Sequence, residues 1–188
     1  MNDRAIAETR AWVERAVIGL QLCPFAKAPQ VKGQVRYVVS EARDAESLLA
    51  ALVDELKLIE AASPERIETT LLIHPGVLTE FDAHNDFLSI AEEALTALDL
   101  EGVIQIASFH PDYRFAGSAP DDIANATNRS PYPTLHLLRE DSIERALASF
   151  PDPDAIYEAN IETMARLGHD GWQALTRQCR DDAEGEPS

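Results

Sequence analysis

Thr69-Thr70-Leu71-Leu72-Ile73-His74-Pro75 and Val103-Ile104-Gln105-Ile106-Ala107-Ser108-Phe109-His110-Pro111 decide the fold. Each is a short, largely apolar run that stops at the same dipeptide, His-Pro. Thr69 to Ile73 fits a strand covered on both faces. Proline closes each run because it lacks the N–H that a ladder needs and fixes the direction of the departing chain. Strands covered on both faces need helices, and the neighbouring segments supply them.

Upstream, residues 44–62 place Leu49, Leu52, Val53, Leu56 and Ile59 on one helical face, after a strand over residues 34–39 that is rich in β-branched and aromatic side chains. Between the two His-Pro runs, residues 83–98 read as a helix with Asp82 at its N-cap. At the N-terminal side, Ile6, Trp12, Val13, Ala16, Val17 and Leu20 recur at helical spacing over residues 4–21, and Pro24 ends that helix. Cys23 to Gly33 reads as a loop. Residues 110–133 form a long polar loop with a short helix around Asp122 to Asn128, and Thr134 to Leu138 is a fourth strand. Helices follow near Asp141, over 154–167 up to a Gly168 C-cap, and over 172–180. The acidic stretch 181–188 is expected to be a disordered tail. Strands alternating with helices predict an α/β fold: a mostly parallel sheet of about four strands flanked by helices, with a C-terminal helical extension. The fourth strand is free to run antiparallel. One domain over residues 1–180 is expected, since 188 residues with 45% hydrophobic content suffice for one core.

Charge narrows the partners. The chain carries 33 acidic and 16 basic residues, a formal net charge of −17. A phosphate backbone or an anionic membrane is repelled by such a surface, so neither nucleic acid nor membrane is an expected partner. The same charge also serves solubility alone. Met1-Asn2-Asp3-Arg4 runs directly into an amphipathic pattern without an apolar signal core. No apolar stretch approaches the roughly 18 residues that a membrane span needs. A cytoplasmic location is expected, with Cys23 and Cys179 reduced, because two distant cysteines are too few for a disulfide scaffold.

His74 and His110 are the leading candidates for chemistry. If their strands are parallel, both imidazoles sit at the carboxyl edge of the sheet, where open α/β sheets place their ligands. Histidine there can act as general acid or base, or ligate a divalent metal. Each can equally cap its own strand. Glu80, Asp82, His84, Asn85 and Asp86 follow in the next loop, and some must face the same edge. No tight HxxxH, HxH or CxxC spacing supports a metal centre. In the loop after His110, Arg114 and Arg129 stand out in so acidic a chain. Their guanidinium groups suit a carboxylate or phosphate on a ligand, with Asn128 as an orienting hydrogen-bonder. Pairing with nearby acids to pin the loop is the competing role. His136, within a strand, reads as a core or interface histidine.

Cys23, in Leu22-Cys23-Pro24-Phe25-Ala26-Lys27, is a third candidate. Lys27 and Lys32 can lower its thiol pKa and favour the nucleophilic thiolate, or Cys23 can simply be a small buried hydrophobe. Cys179 reads as incidental, in an exposed helix. Cys-Pro-Phe, together with Tyr132-Pro133-Thr134 before a strand, echoes thioredoxin-like proteins, so that arrangement is compatible. The echo is imperfect: Ala26 replaces a second cysteine, and Cys23 precedes the first strand.

Several blocks carry a resemblance. Ala16-Val17-Ile18-Gly19-Leu20 with Leu22 to Lys27, Gly33 to Ser40, Thr70 to Pro75, and Asn128-Arg129-Ser130-Pro131-Tyr132-Pro133-Thr134-Leu135-His136-Leu137-Leu138-Arg139 are similar to the bacterial family catalogued as domain of unknown function 1415. The resemblance runs from about Trp12 to Leu175 and implies one domain, with no activity to carry over. The residues themselves suggest an enzyme acting on a small anionic molecule. His74, His110 and Cys23 are its candidate catalytic residues, and Arg129, Asn128 and Arg114 its candidate ligand-binding residues. The alternative is a non-enzymatic protein that binds a metal or small ligand at the same place. Reaction, substrate and oligomeric state stay open.

Overall fold

The structure is a computed structural model that describes residues 2–148 and 154–185. In chain order the elements are α1 (Asn2–Trp12), a π-helical segment (Val13–Ile18), α2 (Lys27–Val31), β1 (Val35–Val39), α3 (Ala45–Ala61), β2 (Thr69–Ile73), α4 (Phe81–Ala97) and β3 (Ile104–Phe109). A 3₁₀ helix (Ile123–Asn128), β4 (Thr134–Arg139), α5 (Glu140–Leu147) and α6 (Asp154–Gly185) follow. Three local readings change. The first helix loosens into a π-helical segment from Val13 instead of continuing to residue 21. The stretch before Gly33 contains the short α2. α4 begins at Phe81 after Glu80, so Asp82 is not its N-cap but lies within its first turn.

The four strands run in the order β1-β2-β4-β3. β1 and β2 pair in parallel, whereas β4 pairs antiparallel with both β2 and β3. The sheet is therefore mixed, and the expectation of a mostly parallel sheet is corrected. Phe109, the last residue of β3, lies opposite Thr134, the first of β4. The loop between them begins and ends at one edge, which obliges β4 to run back. A thioredoxin-like arrangement receives no support. Among the described residues no peptide bond is cis, that before Pro133 included, and Cys23 sits ahead of β1.

Helices cover both faces. Leu48, Leu52, Leu56 and Ile59 of α3 and Phe87, Ala91 and Leu95 of α4 pack on Leu72, Leu135, Leu137 and Ile104 of the sheet. On the other face, Trp12, Val13 and Ala16 join Cys179 and Trp172 of α6 around Leu71, Val35, Tyr37 and Phe109. β2 is buried along its whole length, as its pattern requires. Cys179 is corrected from exposed to core, at 3% exposure, and its thiol is pushed up to about 11 by burial. α6 bends at Gly168, whose φ of 66° is open to glycine without strain, and helix resumes at once. Residues 181–185, expected in the disordered tail, are the last turn of α6, where Asp182 pairs with Arg15; residues 186–188 lie outside the described residues.

Candidate functional site

β2 and β3 both run opposite to β4, so His74 and His110 leave the same edge of the sheet. The entry to β4 separates them: the His74 amide donates to Pro133 O at 2.9 Å, and the His110 amide donates to Asn128 O at 3.3 Å. His84 fills the gap from the first turn of α4. Its ring stacks on His74 at 5.3 Å and tilts against His110 at 5.2 Å. All three histidines are fully buried. The turn after His74 is held tight by Gly76, where an added Cβ would come within 2.6 Å of the Arg43 guanidinium and 3.2 Å of Ala42 O.

Hydrogen bonds set the ring tautomers. His74 Nδ1 lies 3.0 Å from Val77 O. A carbonyl only accepts, so Nδ1 carries the proton and Nε2 presents a lone pair. His110 Nδ1 accepts from the Asp112 amide at 3.0 Å, which leaves the proton of the neutral ring on Nε2. Among the described residues, neither Nε2 nor either nitrogen of His84 has a hydrogen-bond partner. Burial keeps the rings neutral. It lowers the pKa of His74 to about 4 and, helped by the other two imidazoles, that of His84 to about 3. His110 is lowered too, by desolvation, against the opposing pull of the Leu78 and Thr79 backbone and of Asp112 and Glu80.

Phe81 packs against His110 of this cluster. Its ring stands edge-on to His110 at 5.6 Å and to Tyr113 at 5.4 Å. Outside it lies a cavity of about 290 Å³ lined by Glu80, Phe81, Asp82, Asp112, Arg114, Pro120 and Arg129. Arg114 donates to Asp82 Oδ1 at 3.0 Å and lies over the Phe81 ring, which ties the loop to α4. Among the described residues Arg129 meets no acid. Its Nε donates to Tyr113 O at 3.3 Å and its Nη2 to Pro120 O at 2.9 Å, so backbone carbonyls hold the guanidinium in place. Asn128 contributes only its carbonyl to His110, and its side chain has no hydrogen bond among the described residues. The organising amide is Asn125, fully buried, which accepts from the Phe115 amide and Ser118 Oγ and donates to Ala119 O.

The family model described as "Protein of unknown function (DUF1415)" matches residues 4–174. The chain belongs to the DUF1415 family. No curated protein and no solved structure matches it. In this DUF1415 chain two of the blocks that carry the resemblance meet at the site: His74-Pro75 follows β2, and Asn128 to Thr134 leads into β4 beside it.

Cys23 lies elsewhere. It lines a cavity of about 470 Å³ with Ile18, Gln21, Pro24, Lys27, Ala155, Ile156, Ala159 and Asn160, which shares no residue with the cavity above Phe81. Burial raises its thiol pKa, and the amides of Phe25 and Ala26 only partly oppose this. The expected lowering by Lys27 and Lys32 is therefore corrected. Among the described residues no group of three or more His, Cys, Asp or Glu side chains is placed to hold a metal ion. His136 faces Phe109 and has its Nε2 2.6 Å from Thr69 Oγ1, a packing role. Sequence reasoning left His84 unassigned, although a signal existed: His84, Phe87, Ala91, Ala94 and Leu95 form one buried stripe on α4.

Proposed function

We propose that this chain is an enzyme acting on a small anionic molecule, with Arg129 as the anion anchor and His110 and His74 as the proton-handling pair. One observation carries this reading: Phe81, which packs on the buried His110 ring, also lines a cavity that displays an arginine with no carboxylate partner among the described residues. The tautomers support opposite roles. His110 Nε2–H can donate to a substrate oxygen, and His74 Nε2 can accept a proton. His84, between the two rings, positions both. Phe81 has to swing aside for a substrate to reach His110, and the Arg114–Asp82 pair is the contact that holds it shut.

The complete burial of all three imidazoles favours a second reading, a non-enzymatic protein that binds a ligand in the outer cavity. A mixture of small carboxylates and phosphate esters, followed by NMR for both binding and conversion, separates the two. Under the first reading a compound is converted, Arg129→Ala abolishes its binding, and His110→Ala abolishes conversion while binding persists. Binding without conversion by the native chain supports the second. Unchanged binding in Arg129→Ala overturns both as stated.

A further inference from the structure

The charges around the outer cavity do not cancel one by one. Asp82 neutralises Arg114 at 3.0 Å. Arg129 is held by two carbonyls, which bring no formal charge. Among the described residues Glu80 and Asp112 form no ion pair and no side-chain hydrogen bond, yet both fields reach His110 and raise its proton affinity. What the cavity offers is thus one unmatched cation and two unmatched carboxylates. A simple anion would satisfy Arg129 and be repelled by Glu80 and Asp112. A simple amine would meet the reverse conflict.

The positive side has further support. Phe81 and Asp82, in the first turn of the 17-residue α4, line the cavity, and no side chain caps that helix end. Its amide dipoles therefore add to Arg129 in attracting a carboxylate. The volume of about 290 Å³ is at the small end for a ligand site. Fully buried His110 packs against Phe81, which lines the cavity.

We propose that this cavity binds a molecule of the amino-acid class, with its carboxylate on Arg129 and the start of α4, and its ammonium on Glu80 and Asp112. The proposal rests on the site reading above and narrows it: the anionic group belongs to a small molecule that also carries an amine.

The test is saturation-transfer NMR with the standard amino acids, then calorimetry of the best binder beside the same acid lacking its amine and the same amine lacking its carboxylate. The amino acid is expected to bind at least about tenfold tighter than either, a difference of roughly 1.4 kcal/mol. A Glu80→Gln/Asp112→Asn double variant should erase its advantage over the simple acid and leave the simple acid's affinity no weaker. Equal binding of the amino acid and the simple acid overturns this proposal and leaves the anion reading standing. Tighter binding of the simple amine overturns it in favour of a cationic ligand. Failure of every carboxylate to bind overturns both. Thermal melts of the double variant, whose two replacements are near-isosteric and on exposed side chains, confirm that a loss reflects the site.

Discussion

Among the described residues, four of the six imidazole nitrogens in His74, His84 and His110 have no hydrogen-bond partner, and the buried rings resist protonation, so acid should destabilise the chain. The folded pKa values of His74 and His84, about 4 and about 3, lie below the ordinary 6.5. As pH falls the unfolded chain takes up protons first. Stability is full above about pH 7 and declines from about 6.5 down to the folded values. At about pH 5 each of these histidines withdraws roughly 2 kcal/mol. His136, lowered by burial to about 4, adds to the slope. Urea midpoints measured from pH 8 to 5 should fall, and a His84→Gln variant should flatten the curve; an unchanged slope in that variant would show that His84 is charged or solvated in the folded chain. Cys23 gives a second expectation at this scale. Its raised pKa keeps it a thiol at neutral pH, so it should react with a maleimide more slowly than a free cysteine, and Cys23→Ser should retain ligand binding. Fast labelling at pH 7 would contradict the burial argument. His74 and His110 were legible in the sequence because proline stops both strands at a histidine. The contact of His84 with both was not, because its partners come from two strand ends that meet only once β4 has been placed.

At the scale of the element, α3 shows how local chemistry fixes boundaries. Asp44 Oδ1 accepts from the Ser47 amide at 2.8 Å, and Ser47 Oγ accepts in return from the Asp44 amide, a capping box. Asp44→Ala should lower the midpoint of a denaturant titration with no change in slope. The other end of α3 is closed from a distance. Arg139, at the end of β4, donates to Ile59 O at 2.5 Å and to Ala62 O at 2.7 Å. These contacts satisfy carbonyls that the helix end leaves open. Arg139→Met should cost more than Asp44→Ala, on the order of 1–3 kcal/mol, because the carbonyls lose a charged donor. A smaller loss than Asp44→Ala would mean that water replaces the guanidinium at little cost. The capping box sits within four residues of sequence. The Arg139 contact depends on β4 running antiparallel, which the apolar pattern of residues 134–138 does not encode.

At the scale of the whole molecule, α1 and α6 close one face of the sheet and α3 and α4 the other. Arg4–Glu184 and Arg15–Asp182 join the first and last helices, and Glu8 accepts from Tyr132 Oη at 2.8 Å just ahead of β4. Chain ends that pack on the central strand should unfold with it. Far-UV circular dichroism and the fluorescence of Trp12 and Trp172 are expected to report one coincident transition. Separate transitions would show α6 to be an appendage to the sheet domain. No helix among the described residues is long and apolar enough to cross a membrane.

The sequence by itself determined the positions of the four strands, the helices α3 and α4 between them, and a histidine directly after each of two strands. Period, proline stops and β-branched runs are local signals, and each acts within a few residues. Only the tertiary structure decided the strand order β1-β2-β4-β3, the meeting of His84 with His74 and His110, and the assignment of Arg129 to backbone carbonyls and of Arg114 to Asp82. It also decided that Cys23 lines a separate cavity. These are contacts between residues far apart in the chain, and hydrophobic periodicity carries no information about which distant group a polar side chain will meet.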